Sequence, residues 1–394
     1  MQQFKDQDSL KSALQLPQGI CGLPENYDSQ RAFNSKLDKL SQLIRQSQYT
    51  VVLTGAGIST SAGIPDFRGP SGIWTREQQE RKRKKKDAKK LVENPVEKAT
   101  NCCSTTIPSK ADENPSTMHV GSNPKTNSGQ KKRKQGEMQD TEEEARPKFT
   151  SFEAALPTYT HRALAHLILH PPPTSQSSNE SSDGGSKDDS TAQRTYIHHI
   201  VTQNVDGLHR KTDLPRNKMS ILHGCIFTEM CDTCNTEHVR KQEIQSIGLR
   251  HTGKSCTLGG TPAGSCPGNL KDTLLDWEDD LPEMDWCRAE EECSKADLVL
   301  CLGTSLRIEP AASLCTYPTA AATDPSGEGG TKKKGRKKMV MMKEKLGFAI
   351  VNLQQTPYDE SAALVVRGKV DDVMKAVMWK LGYGNNWDSG DERG

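Results

Sequence analysis

The run Val51-Val52-Leu53-Thr54 ends in Gly55-Ala56-Gly57, and a small-residue segment with helical potential follows. A β-branched strand that breaks at paired glycines is the grammar of the first strand of a doubly wound parallel sheet. Glycines let the backbone approach a pyrophosphate, and the amides of a following helix start face its charge. A full dinucleotide fingerprint would put a third glycine at position 60, but Thr60 stands there and the next glycine is Gly63. Alone, the motif is a phosphate loop or a tight turn.

Downstream, Pro65-Asp66-Phe67-Arg68-Gly69-Pro70 sets a carboxylate, a ring and a guanidinium side by side. Proline and glycine break helices and strands, so this stretch is a loop, either a plain surface loop or part of a site. Residues 196–202 form a strand candidate that runs into Gln203-Asn204-Val205-Asp206-Gly207-Leu208-His209. Open α/β sheets bind ligands at the carboxyl ends of their strands. There, Gln and Asn amides can fix ribose hydroxyls or a water, and Asp206 can accept from an amide; a polar turn has the same composition. His223 follows Ile221-Leu222 and reads as a core or turn histidine, or as a base, since an imidazole titrates near neutrality. His161 and His166 lie on a helix expected within 149–170 and ending before Pro171, in surface or cap roles rather than as metal ligands.

Around these motifs, Leu37, Leu40, Leu43 and Ile44 mark an entry helix over 31–48. Residues 298–302, 348–353 and 365–370 are further strands, the last leading into a closing helix. Only 33% of the 394 residues are hydrophobic, and three polar stretches explain the dilution. Residues 77–146, 171–193 and 319–338 have no apolar period and cannot bury enough surface to offset chain entropy, so they are expected to be disordered insertions. Removing them, a 1–30 extension and a 384–394 tail leaves 31–76 and 147–383 without its gaps, about 240 residues, enough for one core and a small satellite. No apolar run reaches membrane-spanning length, and the N-terminus lacks a signal h-region, so an intracellular chain without membrane partners is expected. Net charge is only +2, so basicity is local, in RKRKKK at 81–86, KKRK at 131–134 and KKKGRKK at 332–338. Such blocks read as nuclear import signals or nucleic-acid contacts, against solvated linker charge.

Twelve cysteines in an intracellular chain argue against a disulfide framework. Cys231, Cys234, Cys256 and Cys266 give C-x2-C-x21-C-x9-C, which suits a closed tetrahedral structural zinc site. A redox CxxC is the competing reading. The second pair is looser than CxxC, and Cys225, Cys287, Cys293 and Cys301 are possible substitutes.

GAGIS followed by GIPDFRGP, then TQNVDGLH, ILHG and the GTS at 303–305, resembles the sirtuin family of NAD-dependent protein deacylases. The likeness covers about 31–76 and 147–383 in order. It implies a Rossmann-like doubly wound α/β sheet with a small inserted zinc-ribbon module at about 225–275. It places Asn204 at the nicotinamide ribose and a water, Asp206 at the carboxamide, and His223 as general base. It also implies NAD contacts for Gly55, Ala56, Gly57, Ser59, Thr60, Asp66, Phe67, Arg68, Trp74 and Gln203. On the adenosine side the implied contacts are Gly303, Thr304, Ser305, Asn352, Gln354 and Val370. SGIW after the loop, LDWEDDLP at 275–282 and VNLQ at 351–354 resemble the class IV branch, whose members are nuclear and act on chromatin.

The reaction so implied is attack of an acyl-lysine amide oxygen on the nicotinamide ribose, loss of nicotinamide, and transfer of the acyl group to ADP-ribose after His223 activates a ribose hydroxyl. The acylated protein, expected to be histone, would add as an extended strand in the cleft. Two rivals stand beside it. The same pocket could serve a protein mono-ADP-ribosyltransferase, or the chain could be a non-enzymatic nuclear NAD-sensing, chromatin-binding module. Intact Asn204, Asp206 and His223 argue against the second.

Overall fold

A computed structural model describes residues 21–93, 150–173, 194–257, 266–318, 345–384 and 387–388. The chain divides into two compact units, residues 1–77 with 149–394, and residues 78–148. Most of the expected insertions at 77–146, 171–193 and 319–338 lie outside the described residues, as do 1–20.

The larger unit is built on a six-stranded parallel sheet in the order β10-β9-β8-β1-β2-β3. Its strands are β1 (Thr50–Thr54), β2 (His199–Thr202), β3 (Met219–Ile221), β8 (Leu298–Leu302), β9 (Gly347–Val351) and β10 (Leu364–Val366). Helices cover both faces, so the central strands read as continuous apolar runs rather than alternating ones. On one face Val52, Ile200, Leu300 and Val351 share a core with α1 (Gln30–Gln46), α3 (Tyr159–Leu169) and α5 (Val370–Lys380). On the other, Val51, Leu53, Val299, Cys301 and Ile350 pack with α4 (Glu283–Lys295) and the short turn Ala311–Thr316. Chain order reverses between β1 and β8, which makes their carboxyl ends the switch point of the sheet.

Between β3 and α4 sits a four-stranded antiparallel sheet, order β5-β4-β7-β6, formed by β4 (Thr228–Cys231), β5 (Glu237–Val239), β6 (His251–Ser255) and β7 (Asn269–Asp272). Glu237 on β5 meets the guanidiniums of Arg210 and Arg216, which fastens this module to the loop after β2.

Local structure departs from expectation in four places. After Gly55 the chain makes two 3-10 turns, Ala56–Ile58 and Thr60–Ala62, instead of an α-helix. Gly63, left-handed at φ 81°, and Pro65 stop it there. Helix α2 (Ile73–Glu93) runs into the stretch expected to lack structure. Lys, Arg, Glu and Gln are good helix formers, no Gly or Pro interrupts before Pro95, and Glu80 pairs with Lys84 one turn on. The expected helix within 149–170 begins only at Tyr159, where Thr158 caps it and His161 completes the capping box. The last strand ends at Val366, and Val370 opens α5 instead of closing the strand, with its side chain in the core.

Candidate active site

The turns that leave β1, β2 and β8 meet at the switch point. Gly57 N–H donates to the carbonyl of Gly303 at 2.8 Å, and Gly55 N–H to that of Leu302 at 3.1 Å. A Cβ at Gly55 or Gly57 would stand 2.8 Å from Gly303 backbone, and one at Gly303 would stand 2.6 Å from the Ile58 nitrogen. These glycines are therefore required for two loops to close on each other, before any ligand is considered.

Ser59, buried in the first turn, donates its hydroxyl to Asp206 Oδ2 at 2.6 Å and accepts from Asn204 Nδ2 at 3.2 Å. Asp206 Oδ1 accepts from Leu208 N–H at 2.9 Å. Burial raises the Asp206 pKa, and the Ser59 and Leu208 donors work against that rise. His223 donates from Nδ1 to the Gln203 carbonyl at 3.1 Å; a carbonyl can only accept, so the tautomer is fixed and Nε2 carries the lone pair. Desolvation lowers the His223 pKa, which favours the neutral, proton-accepting ring. Gln203 Nε2 is buried without a partner at the end of β2, a donor suited to a hydroxyl or amide oxygen of a ligand.

The loop 65–72 is folded around Asp66. Its carboxylate accepts from Gly69 N–H at 3.0 Å, while its own pKa is raised by burial. A Cβ at Gly69 or Gly72 would strike that carboxylate. The Arg68 guanidinium lies 4.4 Å over the Trp74 ring, its pKa lowered by desolvation, and Phe67 packs on Trp74 at 4.8 Å. Trp277, which sequence reasoning used only to assign a branch, packs at a tilt against Trp74, ring centroids 5.1 Å apart, from the loop after β7. An exposed tryptophan among acidic residues was the available signal.

Other residues implied at the cofactor also bond within the protein. Thr304 Oγ1 accepts from Leu306 N–H at 3.2 Å, and Thr60 Oγ1 donates to the Gly57 carbonyl. Asn352 Nδ2 donates to the Gln354 carbonyl at 2.9 Å. The Gln354 amide nitrogen donates to the carbonyls of Leu23 at 2.7 Å and Arg68 at 3.3 Å. Hydrogen bonds thus join Asn204 and Asp206 through Ser59, Gln203 to His223, and Gln354 to the Arg68 loop.

In the smaller sheet, the Sγ atoms of Cys231, Cys234, Cys256 and Cys266 lie within 4.8 Å of one another, with Cys231–Cys266 at 3.6 Å and Cys234–Cys256 at 3.8 Å. Tetrahedral zinc with bonds of about 2.3 Å sets sulfur separations near 3.8 Å, so the four thiols fit a closed structural site. The CxxC joins a four-thiol cluster rather than standing alone as a redox pair. None of the four alternative cysteines joins it. Cys225 lines a small cavity beside Asp206, Cys293 and Cys301 are in the core, and Cys287 is exposed on α4.

The Sir2 family model matches residues 55–134 and 189–310. The NAD-dependent protein deacetylase SRT1 of Arabidopsis thaliana is 34% identical over 363 residues, 92% of this chain and 53% of that protein. SRT1 of Oryza sativa subsp. indica is 33% identical, also over 92% of this chain and 52% of its own length. The chain therefore spans about half the length of these plant relatives. The NAD-dependent protein deacetylase Sirt6 of Drosophila melanogaster is 30% identical over 92% of this chain and 81% of its own length. With the glycine turns, the polar network after β2 and the four-cysteine module on one parallel sheet, the chain belongs to the Sir2 family, the sirtuins.

Proposed function

We propose that the protein is an NAD-dependent protein-lysine deacylase that removes acyl groups from nuclear proteins, histones foremost. The observation that carries this reading is the fixed tautomer of His223 beside the Ser59–Asn204–Asp206 network. A lone pair on Nε2 is what a general base needs, and a desolvated ring releases the proton readily afterwards. NAD supplies an electrophilic ribose carbon once nicotinamide departs. Asn204, Asp206 and the unpartnered Gln203 amide would hold its polar groups, and Phe67, Arg68 and Trp74 would close over it, with Gly303, Thr304 and Ser305 on the adenosine side. Zinc, held by the four cysteines, has no open position for substrate and acts on the fold alone.

The deacetylase names of the relatives support the activity, and the Sirt6 name supports placing the chain in the class IV, nuclear and chromatin-associated branch. The basic runs at 81–86, 131–134 and 332–338 support nuclear import and contact with nucleic acid. Incubating the protein with adenine-labelled NAD and acetylated, long-chain-acylated or unmodified histone tests the reading. Deacylation predicts label in O-acyl-ADP-ribose only when an acyl group is present. Label on the unmodified histone would mean ADP-ribosyl transfer, and no turnover would mean a binding module.

A further inference from the structure

The N-terminal segment before α1 lies across two site loops. Gly22 N–H donates to the Arg68 carbonyl at 2.9 Å, and Asn26 N–H to that of Leu353 at 2.9 Å. Asp28 then exchanges two hydrogen bonds with Arg367, its N–H to the carbonyl at 2.9 Å and its Oδ2 from the amide at 2.8 Å. Arg367 in turn donates to the carbonyls of Asn352 and Gln354. Gly22 has φ 71°, and a Cβ there would stand 3.1 Å from the Thr75 methyl, so the segment is seated closely on the start of α2.

At the centre is Gln354, only 9% exposed. Its two amide hydrogens go to carbonyls of two different segments, Leu23 in the N-terminal segment and Arg68 in the aspartate–arginine loop. Loop 65–72 closes on itself through Gly72 N–H to the Gly69 carbonyl, Ile73 N–H to Asp66 and Trp74 N–H to Phe67, and the bonds from Gly22 and Gln354 to the Arg68 carbonyl tie that closed loop to segments distant in sequence. Ordering a loop during folding rather than during binding raises affinity, because less chain entropy is lost when the ligand arrives.

We infer that Gln354 is a positioning residue: through its amide nitrogen it clamps the segment 22–28 to the Arg68 loop and holds that loop in its NAD-binding shape before NAD arrives. This rests on the reading of 65–72 as an NAD loop. The bound loop is the same with or without the clamp; only the fraction of free protein that is competent changes. The clamp therefore acts on affinity for NAD and not on the chemical step.

The test uses the full chain, the Gln354→Met variant, which keeps volume but cannot donate, and a form lacking residues 1–25. NAD dissociation constants, steady-state kcat and KM, and hydrogen exchange of 64–72 in the absence of NAD are measured on each. Gln354→Met is expected to weaken NAD binding about tenfold, about 1.4 kcal/mol, with kcat at saturating NAD within about threefold. The truncated form should lose the same affinity, and combining the two changes should add little more. Both should exchange faster over 64–72. Unchanged NAD affinity and protection in folded Gln354→Met would overturn the clamp, and a kcat loss as large as the KM rise would make Gln354 a transition-state contact instead. If the unaltered protein binds no NAD, the functional reading fails. Exchange over 64–72, which needs no ligand, still decides whether the clamp exists.

Discussion

The Ser59 hydroxyl donates to the Asp206 carboxylate at 2.6 Å, across 147 residues of sequence, and so ties the turn after β1 to the turn after β2. Asp206 is 4% exposed, and losing the Ser59 donor leaves its buried Oδ2 unpaired while Oδ1 keeps the Leu208 N–H. Ser59→Ala should destabilise the fold by about 1.5–3 kcal/mol and lower deacylation, while Ser59→Thr, which keeps the hydroxyl, should recover most of both. Urea unfolding and peptide turnover check this. Wild-type stability in Ser59→Ala would remove the link from the mechanism.

The His223 ring is held by a bond from Nδ1 to the Gln203 carbonyl, and that leaves the Nε2 lone pair free for the proposed proton transfer. His223→Ala should bind NAD nearly normally and deacylate about 100-fold or more slowly. As the proposed base, His223 acts in its neutral form, and desolvation lowers its pKa, so kcat/KM should rise with pH through an inflection below 6.5 and be flat above it. An inflection above that value would assign the limb to another group.

Much of the site is legible because its motifs are local. A strand ending in Gly-Ala-Gly, a polar heptad after another strand, and four spaced cysteines each carry their meaning within a few residues. What is illegible depends on distant partners. The sequence offers Gln354 only as a ligand contact and does not show that its amide nitrogen also donates to carbonyls 331 and 286 residues away. Trp277 meets Trp74 because the loop after β7 returns beside the turn after β3, where Leu275 N–H donates to the His223 carbonyl. The helix through 81–86 escapes notice because apolar periodicity detects packed faces, whereas this run has helix propensity and no apolar face.

The four-thiol cluster predicts one zinc per chain. A cluster of four unligated thiols within 4.8 Å would leave β4–β7 without the bonds that join its two halves. Cys256→Ser should lose the metal, measured by atomic absorption, and lose solubility with it. Because Glu237 links this module to Arg210 and Arg216, loss of zinc should also loosen the loop after β2. Full zinc content in Cys256→Ser would move the ligand elsewhere.

Three buried histidines set an acid limit. Desolvation lowers the His199 and His209 pKa values to about 4, and that of His161 well below 6.5. Each folded pKa is depressed, so the unfolded chain takes up protons first as pH falls. Stability is complete above about pH 6.5 and falls toward pH 4, by up to about 1.4 kcal/mol per pH unit for each ring. The urea midpoint should therefore drop between about pH 7 and pH 5, and drop less steeply in His199→Gln. Equal slopes in the two proteins would exclude His199 as a contributor.

On the proposed reading, the basic runs at 81–86, 131–134 and 332–338 should serve recruitment and not catalysis. Among the described residues, Lys82, Arg83 and Lys84 are exposed on α2, and none belongs to either sheet core. Their charge should attract nucleic-acid phosphates, a contribution that falls steeply with salt because binding releases counterions. Glutamine at all basic positions of the three runs preserves helix propensity in 81–86 and removes the charge. That variant should lose nuclear accumulation and bind nucleosomes more weakly at low salt, with a shallower salt slope. Turnover of a short acyl-lysine peptide should stay within a few-fold of wild type, since that substrate offers no polyanion. A collapse of peptide turnover in the folded variant would make the stretch after Trp74 part of the cofactor loop. In that case the charged runs would serve chemistry, and the division between recruitment and catalysis would fall.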